Sequence, residues 1–473
     1  MKKETNYSAV TPHQEVLDLV KRWFKAEQQG NKNARKSAKE ELEPLLTRTS
    51  DGSFTLPSRE VGGKVENMHS IHGAIQEAKE KFARPARIHG REEVRILDLC
   101  SGLGYNAAAG LDEVLSDYSL DTVLLDDNYD GVSDKDELLH GNKSYKTSLS
   151  ENKLPSKIEI DLVEILPETL AVALLINPPL KVHALIRRAI EDHLITEGFL
   201  RFHEEELSFE GKEIHSISEG VPSNTELPSN TEKQFNINIR INTGDARLVV
   251  KNLKGPYHAV FLDPFSPTKS PELFTVEFLS ELARLLSSNG LLLTYTAAAP
   301  VRSALLEAGL EVGEGPPVGR RGGTVSSHSL KVLQSLKSDD ERMISLSDVG
   351  IPFHDPHLTD NPETIKRVRK KEREAARNCI CFPSTARAPL YLNNEPDDPK
   401  LERRIKRQIN QMGIDDLNSS KARYLVCPQY DECICHCGQG KYEGSRERIM
   451  EMRRRLGIIL KDNEDLNDDK DNF

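Results

Sequence analysis

Acidic residues follow several apolar stretches of this sequence, and one of these stretches leads into a glycine turn. VRILDLCSGLGYNAAAG runs from an apolar stretch through Asp98 to Gly102 and Gly104, and then into a helix start that contains Asn106. Glycines let the backbone approach a ligand closely, and a helix N-terminus offers unpaired N–H groups. A G-x-G turn alone is a weak signal, because many such turns only connect a strand to a helix. The pattern predicts a ligand-binding turn only if further polar residues converge on it.

The second acid follows the next well-formed strand. KIEIDLVEILPETLAVALL ends a predicted strand at Glu164 and places Pro167 where the first turn of a helix is expected. An acid at this position can accept hydrogen bonds from the hydroxyl groups of a ribose. Asp126 and Asp127 in TVLLDDN compete for this role at the customary interval of about twenty residues, but their surroundings resemble an insertion. We therefore favour Glu164, for which a solvated strand end is the simpler alternative.

Two further acids follow later strands. INIRINTGDARLVV has alternating isoleucines, a glycine turn and then Asp245, which is either a plain helix cap or an acceptor for an adenine amino group. HAVFLDPFSPTKSPELF ends its strand at Asp263, and three prolines follow within the loop. Because ligands in open α/β sheets lie beyond the carboxyl ends of the strands, Asp263 is placed to orient an amine and to stabilise charge on its nitrogen. Ordinary turn chemistry is the alternative for an Asp-Pro pair.

Between about residues 95 and 336, apolar strands alternate with helical segments, which predicts an α/β fold with a parallel sheet and helices on both faces. Residues 1–48 form a predicted helical N-terminal cap, and residues 49–336 form the main domain, which polar insertions interrupt at about 117–157 and 208–234. Residues 337–460 form a basic, cysteine-containing C-terminal extension, and residues 461–473 form an acidic tail.

Bulk composition narrows the class of protein. The chain has 473 residues, of which 37% are hydrophobic and 29% charged, and a formal net charge of −11. It has no apolar run long enough for a membrane span and no signal-peptide pattern at its start, so we expect a cytoplasmic protein without membrane contact. Six of the seven cysteines follow position 378, which is unlike an extracellular disulfide framework. The net negative charge still allows a local basic face.

Together these motifs resemble a known family. An acid followed by a glycine turn with Ala107 in place of a third glycine is typical of methyltransferases that bind S-adenosylmethionine. HAVFLDPFSPTKSPELFT, LLLTYTAAAPVRSALLEAGLEV and VGRRGG are similar to the methyltransferase part of MnmC-type tRNA-modifying enzymes. The upstream segment DGSFTLPSREVGGKVENMHSIHGAIQEA, with Ser70, Gly73 and Glu77, is similar to the start of that part. The resemblance covers about residues 49 to 336.

The resemblance implies a seven-stranded Rossmann-like methyltransferase fold, S-adenosyl-L-methionine as the methyl donor, and tRNA as the partner. The acceptor it implies is the amine of 5-aminomethyl-(2-thio)uridine at the wobble position. It assigns Asp263 to catalysis. It assigns the remaining site residues to cofactor binding (Asp98, Gly102, Gly104, Asn106, Glu164 and Asp245) or to substrate binding (Lys269, Arg320 and Arg321). The flavin-dependent oxidase part of bacterial two-domain members has no counterpart in the patterns after residue 340, so we expect methylation without a flavin.

The C-terminal extension suggests two further hypotheses. Its basic runs at 363–377 and 400–407 are expected to contact tRNA phosphates, through Lys370, Lys371 and Arg373 among others, although such runs are often only solvated helix faces. Its cysteines Cys427, Cys433, Cys435 and Cys437 could bind zinc or an iron–sulfur cluster, with Cys379, Cys381 or His436 as further ligands. Reduced cysteines packed in a small module are the alternative.

Two other functions remain open from the sequence. An aminopropyltransferase of the same fold also needs an acid near its reacting amine, but it does not need basic helices. A non-catalytic RNA-binding protein would use the methyltransferase-like domain only as a scaffold, and the complete set of glycines and acids argues against this.

Overall fold

The protein was analysed as a computed structural model. It describes residues 9–116, 155–204, 236–318, 321–378 and 399–468, apart from residues 61, 62, 64, 70, 71, 178, 412, 413, 415 and 417. Both predicted polar insertions lie almost wholly outside these residues, as do Asp126, Asp127, Cys379 and Cys381. In the part of the chain that is described, no helix is long and apolar enough to cross a membrane.

A seven-stranded sheet of order β5-β4-β3-β6-β7-β9-β8 forms the centre of the protein. Five neighbouring strands are parallel, whereas β9 is antiparallel to both β7 and β8. The strands are β3 (Glu93–Leu99), β4 (Lys157–Glu164), β5 (Asn236–Thr243), β6 (Tyr257–Leu262), β7 (Leu286–Thr294), β8 (Glu311–Val318) and β9 (Arg321–Ser327). A small antiparallel pair, β1 (Thr47–Arg48) and β2 (Phe54–Thr55), precedes them. The predicted α/β fold with seven strands is therefore confirmed.

Helices cover both faces of the sheet. Those in the predicted cap and main domain are α1 (Gln14–Gln28), α2 (Ala34–Leu42), α3 (Ala74–Glu77), α4 (Tyr105–Val114), α5 (Pro167–Leu175), α6 (His183–Thr196), α7 (Ala246–Asn252), α8 (Val276–Leu285) and α9 (Ala299–Glu307). The extension adds α10 (Ser338–Leu346), α11 (Pro362–Asn378), α12 (Pro399–Gln411), α13 (Ser420–Val426) and α14 (Ser445–Asp468). The helix α14 continues into the segment predicted to be an acidic tail.

The strand order reverses at β3, which lies between β4 and β6. The chain runs outward from β3 through β4 to β5 and then returns to β6, so a crevice opens beyond the carboxyl ends of β3 and β6. Leu99 at the end of β3 pairs with Val163 on one side and Leu262 on the other. Asp98 near the end of β3, Glu164 at the end of β4 and Asp263 directly after β6 therefore meet at one edge.

The N-terminal helices and the C-terminal extension share their cores with the sheet. Val20 and Trp23 of α1 pack in the apolar cluster that contains Ile96 of β3. Ile344 of α10 and Met452 of α14 pack in the cluster on the other face, with Leu292 of β7. Ion pairs reinforce this packing, such as the one between the nearly buried side chains of Glu341 and Arg448, 2.7 Å apart. The division of the chain at residues 48 and 336 stays a prediction, and both flanking parts contribute to common hydrophobic cores.

The hairpin of β8 and β9 lacks the apolar pattern of the other strands. Its sequence includes Gly315, Pro316 and Pro317, which have low strand propensity. A Cβ atom on Gly323 would lie 2.3 Å from the carbonyl oxygen of Thr294, so only glycine allows β9 to approach β7 this closely. The strand pattern alone therefore does not predict this hairpin.

Candidate active site

The glycine turn after β3 has the backbone conformation that its sequence predicts. Gly102 and Gly104 have φ angles of 53° and 78°, and Cys100 also lies in the left-handed region at 61°. Asp98 is fully buried beneath the turn and accepts a hydrogen bond from the Ala107 backbone N–H at 3.1 Å. Asp98 thus fixes the start of α4 relative to β3.

A buried histidine supports this turn from below. The Nε2 atom of His183 donates to the carbonyl oxygen of Leu103 at 2.8 Å, and its ring lies 5.4 Å from that of Tyr105. Burial lowers the pKa of His183 to about 4, so its ring is neutral at physiological pH. A Cβ atom on Gly104 would lie 2.9 Å from Ile186, so this position requires glycine for packing as well as for its φ angle. The sequence offers no signal for the role of His183, because its partners lie about eighty residues upstream.

Glu164 lies next to the glycine turn, as predicted. Its Oε2 atom accepts a hydrogen bond from the Gly102 backbone N–H at 3.1 Å, and its Oε1 atom accepts one from Ile165 N–H at 2.9 Å. Burial raises the pKa of Glu164, and these backbone donors oppose the shift. Oε1 also accepts a hydrogen bond from Leu166 N–H at 3.4 Å, so Oε2 is the oxygen that can accept a further hydrogen bond from a ligand.

Asp245 is both a helix cap and part of the cavity wall. Its side chain accepts a hydrogen bond from the Arg247 backbone N–H at 2.9 Å, which caps α7. It also forms an ion pair with the guanidinium group of Arg247, and that group binds Asp355 from the other side, with both distances at 2.8 Å. The cap interpretation is therefore confirmed, while the adenine contact stays a prediction.

Asp263 faces the glycine turn across the crevice. Its Oδ2 atom accepts a hydrogen bond from the Nδ2 atom of Asn106 at 2.9 Å. Burial raises the pKa of Asp263 to about 7, with a further contribution from Glu77, and the Asn106 hydrogen bond and Lys81 oppose the rise. A carboxyl group with this pKa can gain or lose a proton near neutral pH, as a general base must. Asn106, which the sequence assigns to the cofactor, thus contacts the candidate catalytic group.

One cavity joins these groups. Its acidic lining consists of Glu164, Asp245, Asp263 and Glu272, and its apolar lining includes Val10, Met68, Val163, Ile165, Phe265 and Leu273. Such a wall suits a ligand that has both a flat apolar part and a positive charge. Because Val10 belongs to the N-terminal segment, the predicted cap helps to enclose the site.

Two residues near Asp263 carry polar groups that the motifs do not predict. Tyr295 follows β7, and burial together with the Asp263 and Glu66 carboxylates raises its pKa well above the usual value. Burial and the Glu164 and Asp263 carboxylates likewise raise the pKa of Cys100. Both groups therefore stay protonated at neutral pH, and each is a hydrogen-bond donor near the carboxylate.

The proline-rich loop after Asp263 is fastened to the segment upstream of α3. Ser266 donates from its hydroxyl group to Glu66 at 2.8 Å, and Lys269, which is 5% exposed, donates to the Ser58 hydroxyl at 3.1 Å. Lys269 thus lies inside the loop structure, and a substrate contact for it stays a prediction. These contacts join residues about two hundred positions apart, so local patterns do not predict them.

Several predicted residues lie outside the described part of the site. Arg320 and Ser70 are not described, and of Arg321 only the backbone is described, at the start of β9, where it pairs with Val318. Thr294 at the carboxyl end of β7 pairs with Thr324 of β9, three residues after Arg321. The end of β8 and the start of β9 therefore lie at the same sheet edge as the cavity.

Part of the basic helix α11 is structural. Arg373 and Arg377 both bind the buried carboxylate of Asp348 at 2.7 Å. Arg369 donates to the backbone carbonyls of Ile351 and Val349. The expectation that Arg373 serves tRNA contact therefore needs correction, because its guanidinium group compensates a buried charge. The exposed basic side chains of this helix are Arg367, Lys370, Lys371 and Arg377.

The four cysteines of the extension converge. The sulfur atoms of Cys427, Cys433, Cys435 and Cys437 all lie within 4.8 Å of one another. The spacing of the cysteines in the sequence does not show whether they can bind a common ligand. The structure shows that their sulfur atoms lie close enough together to do so.

This chain is similar to several known proteins. A family described as S-adenosyl-L-methionine-dependent methyltransferase matches residues 211–329. An uncharacterized protein of Methanocaldococcus jannaschii is 28% identical over 419 residues, which are 87% of this chain and 94% of that protein. The tRNA 5-methylaminomethyl-2-thiouridine biosynthesis bifunctional protein MnmC of Ralstonia nicotianae is 39% identical over 85 residues. A crystal structure of MNMC2 from Aquifex aeolicus covers 76% of this chain and 99% of that one, with 23% identity and a TM-score of 0.46.

The match to the Ralstonia protein includes 18% of this chain and 13% of that protein, so it concerns a single segment of each. The family match spans Asp245 and Asp263, two of the four acids that line the cavity. Residues 211–329 therefore match an S-adenosyl-L-methionine-dependent methyltransferase family, and a shorter segment of the chain is similar to MnmC proteins.

Proposed function

We propose that the protein transfers a methyl group from S-adenosyl-L-methionine to the amine of 5-aminomethyl-(2-thio)uridine at the wobble position of tRNA. The observation that carries this proposal is the position of Asp263. Its carboxyl group has a pKa of about 7, is held by Asn106, and shares one cavity with Glu164 and Asp245. An acid poised in this way suits a reaction in which an amine must lose a proton and gain a methyl group.

The residues of the cavity suit the methyl donor. Glu164 keeps a lone pair on Oε2 for a ribose hydroxyl, and we assign Asp245, which lines the same cavity, to the adenine amino group. The acidic lining favours a ligand that carries a sulfonium and an ammonium group. Gly102 lines the cavity, and a Cβ atom there would lie 2.7 Å from the end of the Met68 side chain, which lines the cavity as well. When bound, S-adenosyl-L-methionine supplies an electrophilic methyl group.

Asp263 then acts on the acceptor. As a carboxylate it accepts a hydrogen bond from the amine N–H and orients the nitrogen lone pair toward the methyl group. It also stabilises the positive charge that develops on nitrogen as the bond to carbon forms. Asn106 keeps the carboxylate in place through its hydrogen bond.

Basic residues near the cavity support the proposal that tRNA is the substrate. The strand β9, which starts at Arg321, begins at the carboxyl edge of the sheet, and we assign Arg320 and Arg321 to phosphate contact. The helix α11, with exposed Arg367, Lys370 and Lys371, packs against the turn Pro271–Phe274 that follows the catalytic loop. Phosphate contacts of this kind position a nucleic acid without reading its sequence. An enzyme that modifies tRNA is expected in the cytoplasm.

The direct test uses purified protein, S-adenosyl-L-methionine with a labelled methyl group, and tRNA from cells that leave 5-aminomethyl-uridine unmethylated. Label in the wobble nucleoside, found by mass spectrometry after digestion, supports the proposal. Binding of S-adenosyl-L-methionine without transfer to any tRNA nucleoside would contradict it. Aminopropyl transfer to a polyamine from the decarboxylated donor, in a parallel reaction, would assign the protein to the other enzyme class.

A further inference from the structure

The cysteine cluster of the extension lies on elements remote in sequence from the methyltransferase motifs. Cys427 begins a short turn, Cys427–Gln429, directly after α13, and the other three cysteines lie on the loop that precedes α14. The sulfur atoms of Cys433 and Cys437 are 3.7 Å apart, and Cys433 lies 3.9 Å from both Cys427 and Cys435. These separations are far longer than a disulfide bond of about 2 Å, and all four cysteines are free.

The separations match the coordination sphere of one metal ion. A zinc–sulfur bond is about 2.3 Å long, so the edges of a regular zinc–thiolate tetrahedron are about 3.8 Å. The three sulfur–sulfur distances are within about 0.1 Å of this value. A four-iron cluster binds each cysteine through a different iron atom and therefore needs its sulfur atoms farther apart. The geometry favours a mononuclear site.

A buried cation faces the cluster. Arg455 on α14 is fully buried, with Nη2 3.6 Å from the sulfur of Cys437 and Nη1 3.8 Å from that of Cys435. Its guanidinium group is held by Glu451, which also binds Arg454, and it lies 4.6 Å from the centre of the Tyr424 ring. Four thiolates around a divalent ion leave a net charge of about −2. A buried guanidinium that donates to two of the sulfurs offsets part of that charge, as hydrogen-bond donors around metal sites commonly do.

We propose that Cys427, Cys433, Cys435 and Cys437 bind one zinc ion in a closed structural site. Four protein ligands leave no open position for a substrate or water, so the ion does not act in the methyl transfer. It instead fastens the loop to α13 through Cys427 and to α14 through Arg455. The turn that Cys427 begins continues to Gln429, which donates to the Ser338 carbonyl at 2.9 Å at the start of α10. The zinc ion therefore stabilises the docking of the extension on the sheet domain.

Metal analysis of the full-length protein tests this proposal. The protein is produced in medium that contains both zinc and iron, and is purified under reducing conditions without added metal. We expect one zinc per chain and at least a tenfold lower content in the Cys433→Ser/Cys437→Ser double variant, which changes two exposed ligands. His436→Asn is the matched control. It alters the exposed neighbour of the cluster, keeps a side chain that tolerates the φ of 62° at this position, and should retain one zinc.

Two further measurements use wild-type protein and therefore test the proposal even if the double variant does not fold. Wild-type protein stripped of metal and loaded with Co²⁺ should show the ligand-field absorption bands of tetrahedral cobalt thiolate. The stripped protein should also unfold at a lower temperature than the zinc-loaded one, in circular dichroism that needs no substrate. Iron with acid-labile sulfide, mononuclear iron, no stoichiometric metal, or zinc retained in the double variant would each overturn the assignment. None of these results depends on the proposed methyl transfer.

Discussion

Replacing Asp263 by Asn should make the protein more stable above neutral pH while it removes activity. In the folded protein the pKa of Asp263 is about 7, whereas that of an unperturbed aspartate is 3.8. The folded state therefore keeps a proton that the unfolded chain releases, and stability falls as the pH rises from about 4 to about 7. The shift of about three pKa units corresponds to at most about 4 kcal/mol, lost in full above pH 7. Asparagine carries no charge at any pH, so the variant avoids this loss.

Urea unfolding at pH 5 and pH 8 measures the effect. The free energy of unfolding of Asp263→Asn should exceed that of the wild type by a few kcal/mol at pH 8, and the difference should shrink at pH 5. The variant keeps the contact with Asn106, because an amide oxygen also accepts a hydrogen bond. Asp18→Asn, on the exposed face of α1, is the control and should change stability little at either pH.

The same variant separates catalysis from cofactor binding. We expect kcat to fall by about 10²- to 10⁴-fold, with the dissociation constant of S-adenosyl-L-methionine, measured by calorimetry, changed only slightly. In the wild type, kcat should rise with pH around 7, because about a tenth of Asp263 is ionised at pH 6 and about nine tenths at pH 8. A variant that is equally destabilised at both pH values, or that loses only cofactor affinity, would refute this account of Asp263.

Three further predictions concern the surroundings of this group. Asn106→Ala removes the hydrogen bond that lowers the pKa of Asp263, so the acid limb of the kcat profile should move to higher pH. Glu164→Gln removes the anionic acceptor beside the glycine turn and should weaken S-adenosyl-L-methionine binding about tenfold or more in calorimetry. Lys370→Glu/Lys371→Glu should weaken tRNA binding and flatten its dependence on salt concentration, as measured by filter binding at several ionic strengths.

Each of these predictions has a matched control. Asn106→Asp keeps a polar side chain but adds a negative charge, so it should not restore the wild-type pH profile of kcat. If Asn106→Ala leaves that profile unchanged, Asn106 does not position Asp263. Glu164→Asp keeps the charge and should retain part of the cofactor affinity; equal loss in Gln and Asp variants would point to packing alone. Lys21→Glu/Lys25→Glu places the same charge change on α1, and equal loss of tRNA affinity there would show a non-specific effect of net charge.

The sequence predicts the central strands and the acids at their ends. Parallel strands buried on both faces appear as continuous apolar runs, and β6 ends in such a run, whereas β4 alternates apolar residues with Glu159 and Asp161 before Leu162 and Val163. Because the carboxyl ends of these strands share one edge, Glu164 and Asp263 are expected to meet there, and the structure brings them to one cavity. At this site the sequence of each strand end and the order of the strands in the sheet lead to the same prediction.

The remaining features depend on contacts between distant segments. Glu66 binds Ser266 across two hundred residues, and no local pattern of charge or hydrophobicity indicates such a pair. The role of Arg373 is also hidden, since a basic helical run looks alike whether it faces solvent or the buried Asp348. In β8, glycines and prolines obscure the strand pattern, and the glycines are required because Gly313 and Gly315 lie too close to neighbouring backbone for a Cβ atom.

The most direct test of the central claim is nucleoside mass spectrometry of tRNA from cells that lack this protein, with and without a plasmid that restores it. Unmethylated 5-aminomethyl-uridine, thiolated or not, should accumulate in the strain that lacks the protein. The wild-type protein should restore the methylated nucleoside, and Asp263→Asn should not. A modification profile that is unchanged by loss of the protein would contradict the account.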